Sequence, residues 1–101
     1  MKTQTRLYTA ARLLENLIKS HCGEEATKEL AVTETDTVAI VWPSGPFEWA
    51  AALTGGSHIL AGELSSFGMD NPWYAAVLDI QDRYGVYFEC YNDYTITVWE
   101  A

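Results

Sequence analysis

Residues 85–101 read GVYFECYNDYTITVWEA, a run in which β-branched and aromatic residues alternate with polar ones. Such alternation is typical of half-buried β-strands. Gly85–Tyr91 and Tyr94–Ala101 are the two predicted strands, and Asn92-Asp93 between them is a favoured turn pair. This stretch therefore predicts a β-hairpin.

Two registers are open to the hairpin. A two-residue turn pairs Phe88 with Thr97 and mixes polar and apolar side chains on each face. A loop longer by one residue, or a bulge, pairs Phe88 with Val98 and separates the faces. Because burial favours one apolar face, we predict the bulged register. The other face then carries aromatic, acidic and threonine side chains: Tyr87, Glu89, Tyr91, Thr95, Thr97 and Trp99.

The first part of the chain has helical periodicity. One buried stripe, widened by Leu13 and Ala11, follows the three-four spacing of a helix. Thr3 or Thr5 can cap its start, and Gly23 is placed to end it. The members of the stripe are Leu7, Ala10, Leu14, Leu17 and Ile18. The predicted solvent side carries Arg6, Arg12, Glu15 and Lys19. A short second helix over residues 24–31 is weakly patterned.

The middle of the sequence changes to strand patterns. Thr37–Trp42 (TVAIVW) suits a strand covered on both faces, and Pro43–Pro46 is a turn. Phe47–Leu53 alternates and predicts a returning strand, with an amphipathic helix as the alternative. His58–Leu64 (HILAGEL) predicts a further short strand.

A second main helix begins at Asn71-Pro72. Asparagine is a favoured cap, and proline fits the first helical position, where no amide bond is lost. Gly85 supplies a left-handed stop. The predicted buried face consists of Trp73, Val77, Ile80 and Tyr84.

These elements predict one globular α+β domain over residues 1–101. Strands joined by tight turns indicate a mainly antiparallel four- or five-stranded sheet, with the two main helices packed on one face. The opposite face is then expected to be open to solvent, with aromatic rings and carboxylates on it.

The charge distribution is strongly uneven. Eleven of the fourteen acidic residues, but only one of the six basic residues, lie beyond residue 28. Arg83 is that basic residue, so residues 29–101 carry a formal charge of −10, whereas the whole chain carries −8. Such a field repels nucleic acid and anionic membrane and attracts basic protein surfaces. With 13 % aromatic residues, the composition is that of a folded domain and not of a disordered acidic tail.

No pattern indicates a metal, a cofactor or a catalytic centre. The candidate ligands contain no C-x-x-C or H-x-x-x-H pair. Gly55–Ser57 lacks the lysine and the spacing of a phosphate loop. Carboxylate pairs such as Glu48 with Glu63, or Asp79 with Asp82, have no apolar cleft to separate their pKa values. We therefore predict a protein that is not an enzyme.

The cysteines give the least favoured alternative, a small enzyme with Cys90 as nucleophile and His58 as base. Cys90 lies in an apolar-alternating strand, where a thiol usually acts as a small hydrophobe. Cys22 and Cys90 could pair, but nothing in their spacing requires it, and we expect two thiols in a reducing cytoplasm. No apolar run is long enough to cross a bilayer, and Arg12 and Glu15 interrupt any signal-peptide core. A soluble protein of the host-cell cytoplasm is expected.

Two stretches, GPFEWAAALTGG (Gly45–Gly56) and GVYFECYNDYTITVW (Gly85–Trp99), are similar to small uncharacterised proteins encoded by bacteriophages. In size and acidity the chain also resembles the anti-CRISPR and anti-restriction inhibitors that disable bacterial defences. Several of those are DNA mimics that occupy the basic channel of a nuclease or surveillance complex. The class shares behaviour rather than residues, so the resemblance transfers no functional position.

The leading hypothesis is a non-enzymatic inhibitor that binds the basic nucleic-acid-binding site of a host defence protein. Carboxylates on neighbouring strands and a helix can approximate a row of phosphates, and exposed aromatic rings supply anchors. The predicted acidic contacts are Glu48, Glu63, Asp79, Asp82, Glu89 and Asp93. The predicted aromatic anchors are Tyr87, Tyr91 and Trp99. The main alternative is a structural or accessory phage protein that forms a homodimer through its sheet.

Overall fold

The computed structural model of the protein describes residues 3–43, 72–92 and 94–101. These residues form an α+β structure with a four-stranded antiparallel sheet, as predicted. Its elements are α1 (Thr3–Cys22), β1 (Ala31–Glu34), β2 (Val38–Val41), α2 (Pro72–Tyr84), β3 (Val86–Asn92) and β4 (Thr95–Glu100). The strand order is β1-β2-β4-β3, so β1 and β3 are the edges of this sheet.

The hairpin of β3 and β4 adopts the bulged register. Phe88 pairs with Val98 and Cys90 pairs with Ile96, while Asn92 pairs with Thr95. The register shift between Cys90 and Asn92 leaves Tyr91 as the extra residue of the bulge. This confirms the prediction and its reason, because the register places the apolar residues of both strands on one face.

The buried core is shared by the helices and the sheet. Side chains of both helices belong to one buried cluster with the inward residues of β2, β3 and β4. Such burial of apolar surface is the main stabilising contribution to a domain of this size. The cluster consists of Leu7, Ala10, Ala11, Leu14, Ile18, Leu30, Val38, Ile40, Trp42, Val77, Ile80, Val86, Phe88, Ile96 and Val98.

Helix α1 confirms the predicted apolar stripe. It ends before Gly23 as predicted, since Gly23 has φ +91° and donates its amide to Lys19 O at 2.8 Å. The helix already begins at Thr3, so Thr5 is an internal residue and not its cap.

The prediction that Glu15 faces solvent is wrong, because its side chain is only 6 % exposed. Position 15 follows the buried Ala11 by four residues and precedes the buried Ile18 by three, so it lies at the margin of the stripe. Arg12 Nε lies 3.0 Å from Glu15 Oε1, and Lys19 Nζ lies 3.7 Å from Oε2. These two cations balance the carboxylate that the helix partly buries.

Residues 24–34 differ from the prediction. Residues 24–29 form hydrogen-bonded turns instead of a helix, with Thr27 donating its hydroxyl to Gly23 O at 2.7 Å. The following residues, Ala31–Glu34, form β1, which pairs with β2. The predicted strand at residues 37–42 is confirmed as β2, and β1 and β4 occupy its two sides. The predicted strands Phe47–Leu53 and His58–Leu64 lie outside the described residues.

Helix α2 confirms Pro72 as its first residue and Gly85, at φ +63°, as its stop. Val77 and Ile80 are buried as predicted, and the side chain of Trp73 is outside the described part. The helix also protects the edge of the sheet, because Gln81 Oε1 accepts a 2.9 Å hydrogen bond from the Phe88 amide. An edge strand with a covered amide is less able to pair with another chain.

The outer face of the sheet, opposite the core, is less open than predicted. Ala39, Thr95 and Thr97 on the two central strands are each less than 9 % exposed. On edge strand β3, by contrast, Tyr87 and Tyr91 are 42 % and 72 % exposed.

Candidate protein-binding site

The exposed part of the outer face is a compact set of predicted residues. Tyr87, Glu89 and Tyr91 occupy alternate positions of β3 and are all exposed, and half-buried Trp99 is the pairing partner of Tyr87 on β4. Side chains two residues apart on a strand share a face and lie about 6.8 Å apart. We call these four residues the aromatic–carboxylate cluster. Of the nine predicted contact residues, these are the ones that the structure brings together on one face.

A hydrogen bond orients the carboxylate in this cluster. Trp99 Nε1 donates to Glu89 Oε1 at 3.2 Å. The two residues are diagonal neighbours, since Tyr87 pairs with Trp99 and Glu89 pairs with Thr97. The Thr97 hydroxyl adds a 3.3 Å bond to the backbone carbonyl of Glu89. Glu89 is therefore held at both its backbone and its side chain.

The bulge beside the cluster is also held by polar contacts. The Cys90 thiol donates to Asn92 O at 3.3 Å, and the Tyr94 amide donates to Asn92 Oδ1 at 3.0 Å. Tyr94 is 49 % exposed at this end of the hairpin. Tyr94 is not among the predicted contacts, although its position directly after the turn pair was a usable signal.

Two other predicted residues lie on α2 and form a separate group. Asp79 is paired with Arg83 one turn later, so its charge is balanced locally. Asp82 is exposed and lines a shallow surface groove of about 320 Å³ together with Leu78, Gln81, Gly85, Val86 and Ala101. The remaining predicted contacts, Glu48, Glu63 and Asp93, lie outside the described residues.

The basic side chains of the described residues are all paired with nearby acids. Arg12 and Lys19 contact Glu15, and Lys28 contacts Glu25. Arg6 lies 3.4 Å from Glu100, and Arg83 contacts Asp79. Arg12 and Lys19 share the single carboxylate of Glu15, so α1 keeps a net positive charge. Within the described part of the chain, none of its cations forms an ion pair with one of the predicted acidic contacts.

Most of the described acids beyond residue 28 have no cationic partner among the described residues. The described ones are all exposed, and only Asp79 and Glu100 have a cationic partner within the described part of the chain. The carboxylates without such a partner there are Glu29, Glu34, Asp36, Asp82 and Glu89. They lie in the turn before β1, at the β1–β2 connection, on α2 and in the cluster.

The cysteines are thiols and not a disulfide. Burial raises the pKa of the Cys22 thiol above its ordinary value, which lowers its reactivity at neutral pH. Cys90 packs against the core, and His58, its candidate base, lies outside the described residues. Within the described ranges, no three His, Cys, Asp or Glu side chains are grouped as metal ligands. None of the helices in those ranges has the length and apolar character needed to cross a membrane.

Comparison with protein-family models, curated proteins and solved structures found no match for this chain.

Proposed function

We propose that this protein is a non-enzymatic inhibitor of the anti-CRISPR or anti-restriction type, acting in the cytoplasm of a bacterial host. It binds the basic nucleic-acid-binding site of a defence protein and competes there with DNA or RNA. The supporting observation is that five exposed carboxylates of the described chain have no cationic partner there, while every described basic side chain is already paired.

The mechanism follows from this charge imbalance. Unbalanced surface carboxylates create a long-range negative field that speeds the encounter with a basic channel. Once bound, they replace phosphates as partners of the channel's Lys and Arg side chains. The exposed rings of Tyr87 and Tyr91 then add apolar contact area, which is the usual source of tight binding at interfaces. Association should slow as salt rises, because screening shortens the field to about 10 Å at 0.1 M salt.

A phage-plating assay tests the function even when the target is unidentified. The protein is expressed in bacteria that carry one active CRISPR or restriction system at a time, and a susceptible phage is plated. We expect plating to rise by at least about tenfold in one of these strains, because bound inhibitor lowers the concentration of active effector by mass action. The inhibited effector is then purified and tested for DNA binding in the presence of the protein.

Two triple variants with equal changes in net charge test whether inhibition depends on particular carboxylates or only on the net charge of the protein. Asp79→Lys, Asp82→Lys and Glu89→Lys together should abolish inhibition while leaving the melting temperature nearly unchanged, since all three side chains are exposed. The control reverses Glu24, Glu25 and Glu100, which are also exposed, are not among the five unpartnered carboxylates beyond residue 28 and change the net charge equally. Unchanged plating in every strain, or full inhibition by the first triple variant, would contradict the proposal.

A second candidate function is a structural or accessory phage protein that dimerises through its sheet. The exposure of Tyr87, Tyr91 and Tyr94 on and beside edge strand β3 favours it, since exposed aromatic rings are common at homodimer interfaces. Native mass spectrometry tests this candidate. A stable dimer that dissociates on Tyr91→Asp would support it, and a monomer at micromolar concentration would exclude it.

A further inference from the structure

We infer that the aromatic–carboxylate cluster is an arginine-binding site, which receives the guanidinium group of one partner arginine against Glu89. This deepens the proposed function and rests on it, because it names the side chain through which a basic partner would be recognised.

The arrangement of the cluster matches a planar cation. Tyr87 and Glu89 share one face of β3, and Tyr91 follows at the bulge; all three side chains are exposed. A guanidinium bound to the carboxylate therefore has an aromatic ring within reach on each side along the strand. Contacts between Arg and an aromatic face contribute about 0.5–1 kcal/mol at exposed sites.

Glu89 has acceptor capacity left for such a ligand. The Trp99 indole N–H bonds to one oxygen of Glu89, and a carboxylate has about four acceptor positions in total. Among the described residues, no Lys or Arg pairs with this carboxylate. Because the indole bond restrains the side chain, less conformational freedom is lost when a partner binds.

The chemistry of the site favours arginine over lysine. Arginine presents five donors in a planar fork, stacks on aromatic rings and is more weakly hydrated than an ammonium group. Lysine offers a compact, strongly hydrated charge that cannot stack. A site with one oriented carboxylate and flanking rings therefore discriminates between two cations that a purely electrostatic surface would treat alike.

A second copy of this chain is a poor source of the arginine. The chain contains three arginines, Arg6, Arg12 and Arg83, and each already contacts an acidic residue of the same molecule. Nucleic acid is excluded as an occupant by charge, because a phosphate would be repelled by Glu89. The occupant is therefore a basic protein surface with an accessible arginine.

Titration with two peptides tests the site on the full-length protein. An arginine homopeptide and a lysine homopeptide of equal length are added to ¹⁵N-labelled protein, and the Trp99 indole N–H signal is followed, after assignment with Trp99→Phe. We expect the arginine peptide to bind about fivefold tighter and to move this signal, since its guanidinium shares the carboxylate that the indole contacts.

Conservative variants give the controls. Glu89→Gln keeps an acceptor for the indole but removes the charge, and it should lower affinity for the arginine peptide by about fivefold or more. Glu24→Gln removes one exposed charge that is not among the five unpartnered carboxylates beyond residue 28, and it should leave the preference for arginine unchanged. Equal affinity for the two peptides, an unmoved indole signal, or equal effects of the two Gln variants would overturn the inference.

These outcomes are distinguishable from failure of the proposed function. If both peptides bind equally while the triple reversal still abolishes inhibition of a defence system, the arginine site is lost and the inhibitor function stands. If the arginine preference is found but no defence system is inhibited, the site stands and the proposed function is lost. Sedimentation of the free protein reports whether self-association competes with the peptide.

Discussion

Reciprocal substitutions at two neighbouring residues of β4 test the bulged register. Val98 is 1 % exposed and belongs to the core, whereas Thr97 is 7 % exposed on the outer face and donates its hydroxyl to Glu89 O. Valine and threonine have nearly the same shape, so Val98→Thr and Thr97→Val change polarity without opening a cavity. The two variants therefore report which face each residue occupies.

The structure predicts clearly different magnitudes. Val98→Thr places a hydroxyl among apolar side chains, and burying an unsatisfied hydroxyl in a protein costs about 1–3 kcal/mol. Thr97→Val removes one hydrogen bond of 3.3 Å, whose net contribution is about 0.5–1.5 kcal/mol. Valine also has a high strand propensity, which offsets part of that loss. We expect Thr97→Val to lie within about 1 kcal/mol of the wild type.

Urea unfolding followed by tryptophan fluorescence measures both variants. With a slope of about 1–2 kcal/mol per molar urea, Val98→Thr should lower the midpoint by about 1 M, at an unchanged slope. A one-residue slip of β4 would exchange the two positions. Stabilisation by Thr97→Val together with an unchanged midpoint for Val98→Thr would therefore refute the bulged register and the face assigned to the cluster.

Three further predictions concern single sites. Gly23→Ala should cost about 1–2 kcal/mol and lower Tm by about 4–16 °C, because φ is +91° although no atom lies within 4 Å of the added Cβ. Gly23→Asn should cost less, because asparagine tolerates this backbone region better. Gln81→Ala should speed hydrogen exchange of the Phe88 amide by about tenfold, whereas Gln81→Glu keeps the acceptor and should keep the amide protected. Equal exchange rates in the two variants would contradict the inference that Gln81 protects the edge of β3. Cys22 should react with iodoacetamide at least about threefold more slowly than a cysteine peptide at pH 7, because burial raises the pKa of its thiol, and the reaction should become faster as pH rises. Peptide mass spectrometry distinguishes labelling of Cys22 from labelling of Cys90. A rate equal to that of the peptide would show that the thiol is not buried.

The elements that the sequence predicted correctly carry local signals. In α1 the apolar residues at three-four spacing predict the helix and Gly23 predicts its end. In α2 Pro72 and Gly85 predict the two ends of the helix. The register of the β3–β4 hairpin was predictable because only the bulged pairing separates apolar from polar residues. In each case the local pattern and the tertiary burial agree.

The wrong predictions arise where tertiary contacts override a weak local pattern. Strand β1 is four residues long, mostly exposed, and held by its pairing with β2, so its sequence shows no alternation to detect. Burial of Glu15 depends on Arg12 and Lys19, and a periodicity argument treats all three as solvent-facing. Burial of Thr97 depends on its neighbours in the sheet, which the sequence of β4 does not contain.

The sequence predicted which residues of the candidate site share a face, but it did not predict the contacts between them. Alternation along β3 placed Tyr87, Glu89 and Tyr91 on one side, and their exposure agrees with that prediction. The predicted register already makes Trp99 and Glu89 diagonal neighbours, but their hydrogen bond could not be predicted, because it depends on the side-chain rotamers of both residues. The pairing of Asp79 with Arg83, by contrast, was predictable from their i,i+4 spacing on α2 and reduces the contribution expected of Asp79.

The bulge links the stability of this protein to its candidate site. Without an extra residue, continuous pairing from Phe88 would bring Thr97 and Trp99 to the core side and expel Ile96 and Val98. The insertion at Tyr91 keeps the four apolar side chains of the hairpin inward and, by the same geometry, sets Trp99 beside Glu89. Because Tyr87 and Tyr91 are exposed, substitutions at these two positions should cost little in folding. Loss of binding in cluster variants that melt like the wild type would therefore report on recognition itself, whereas loss of binding in core variants would not.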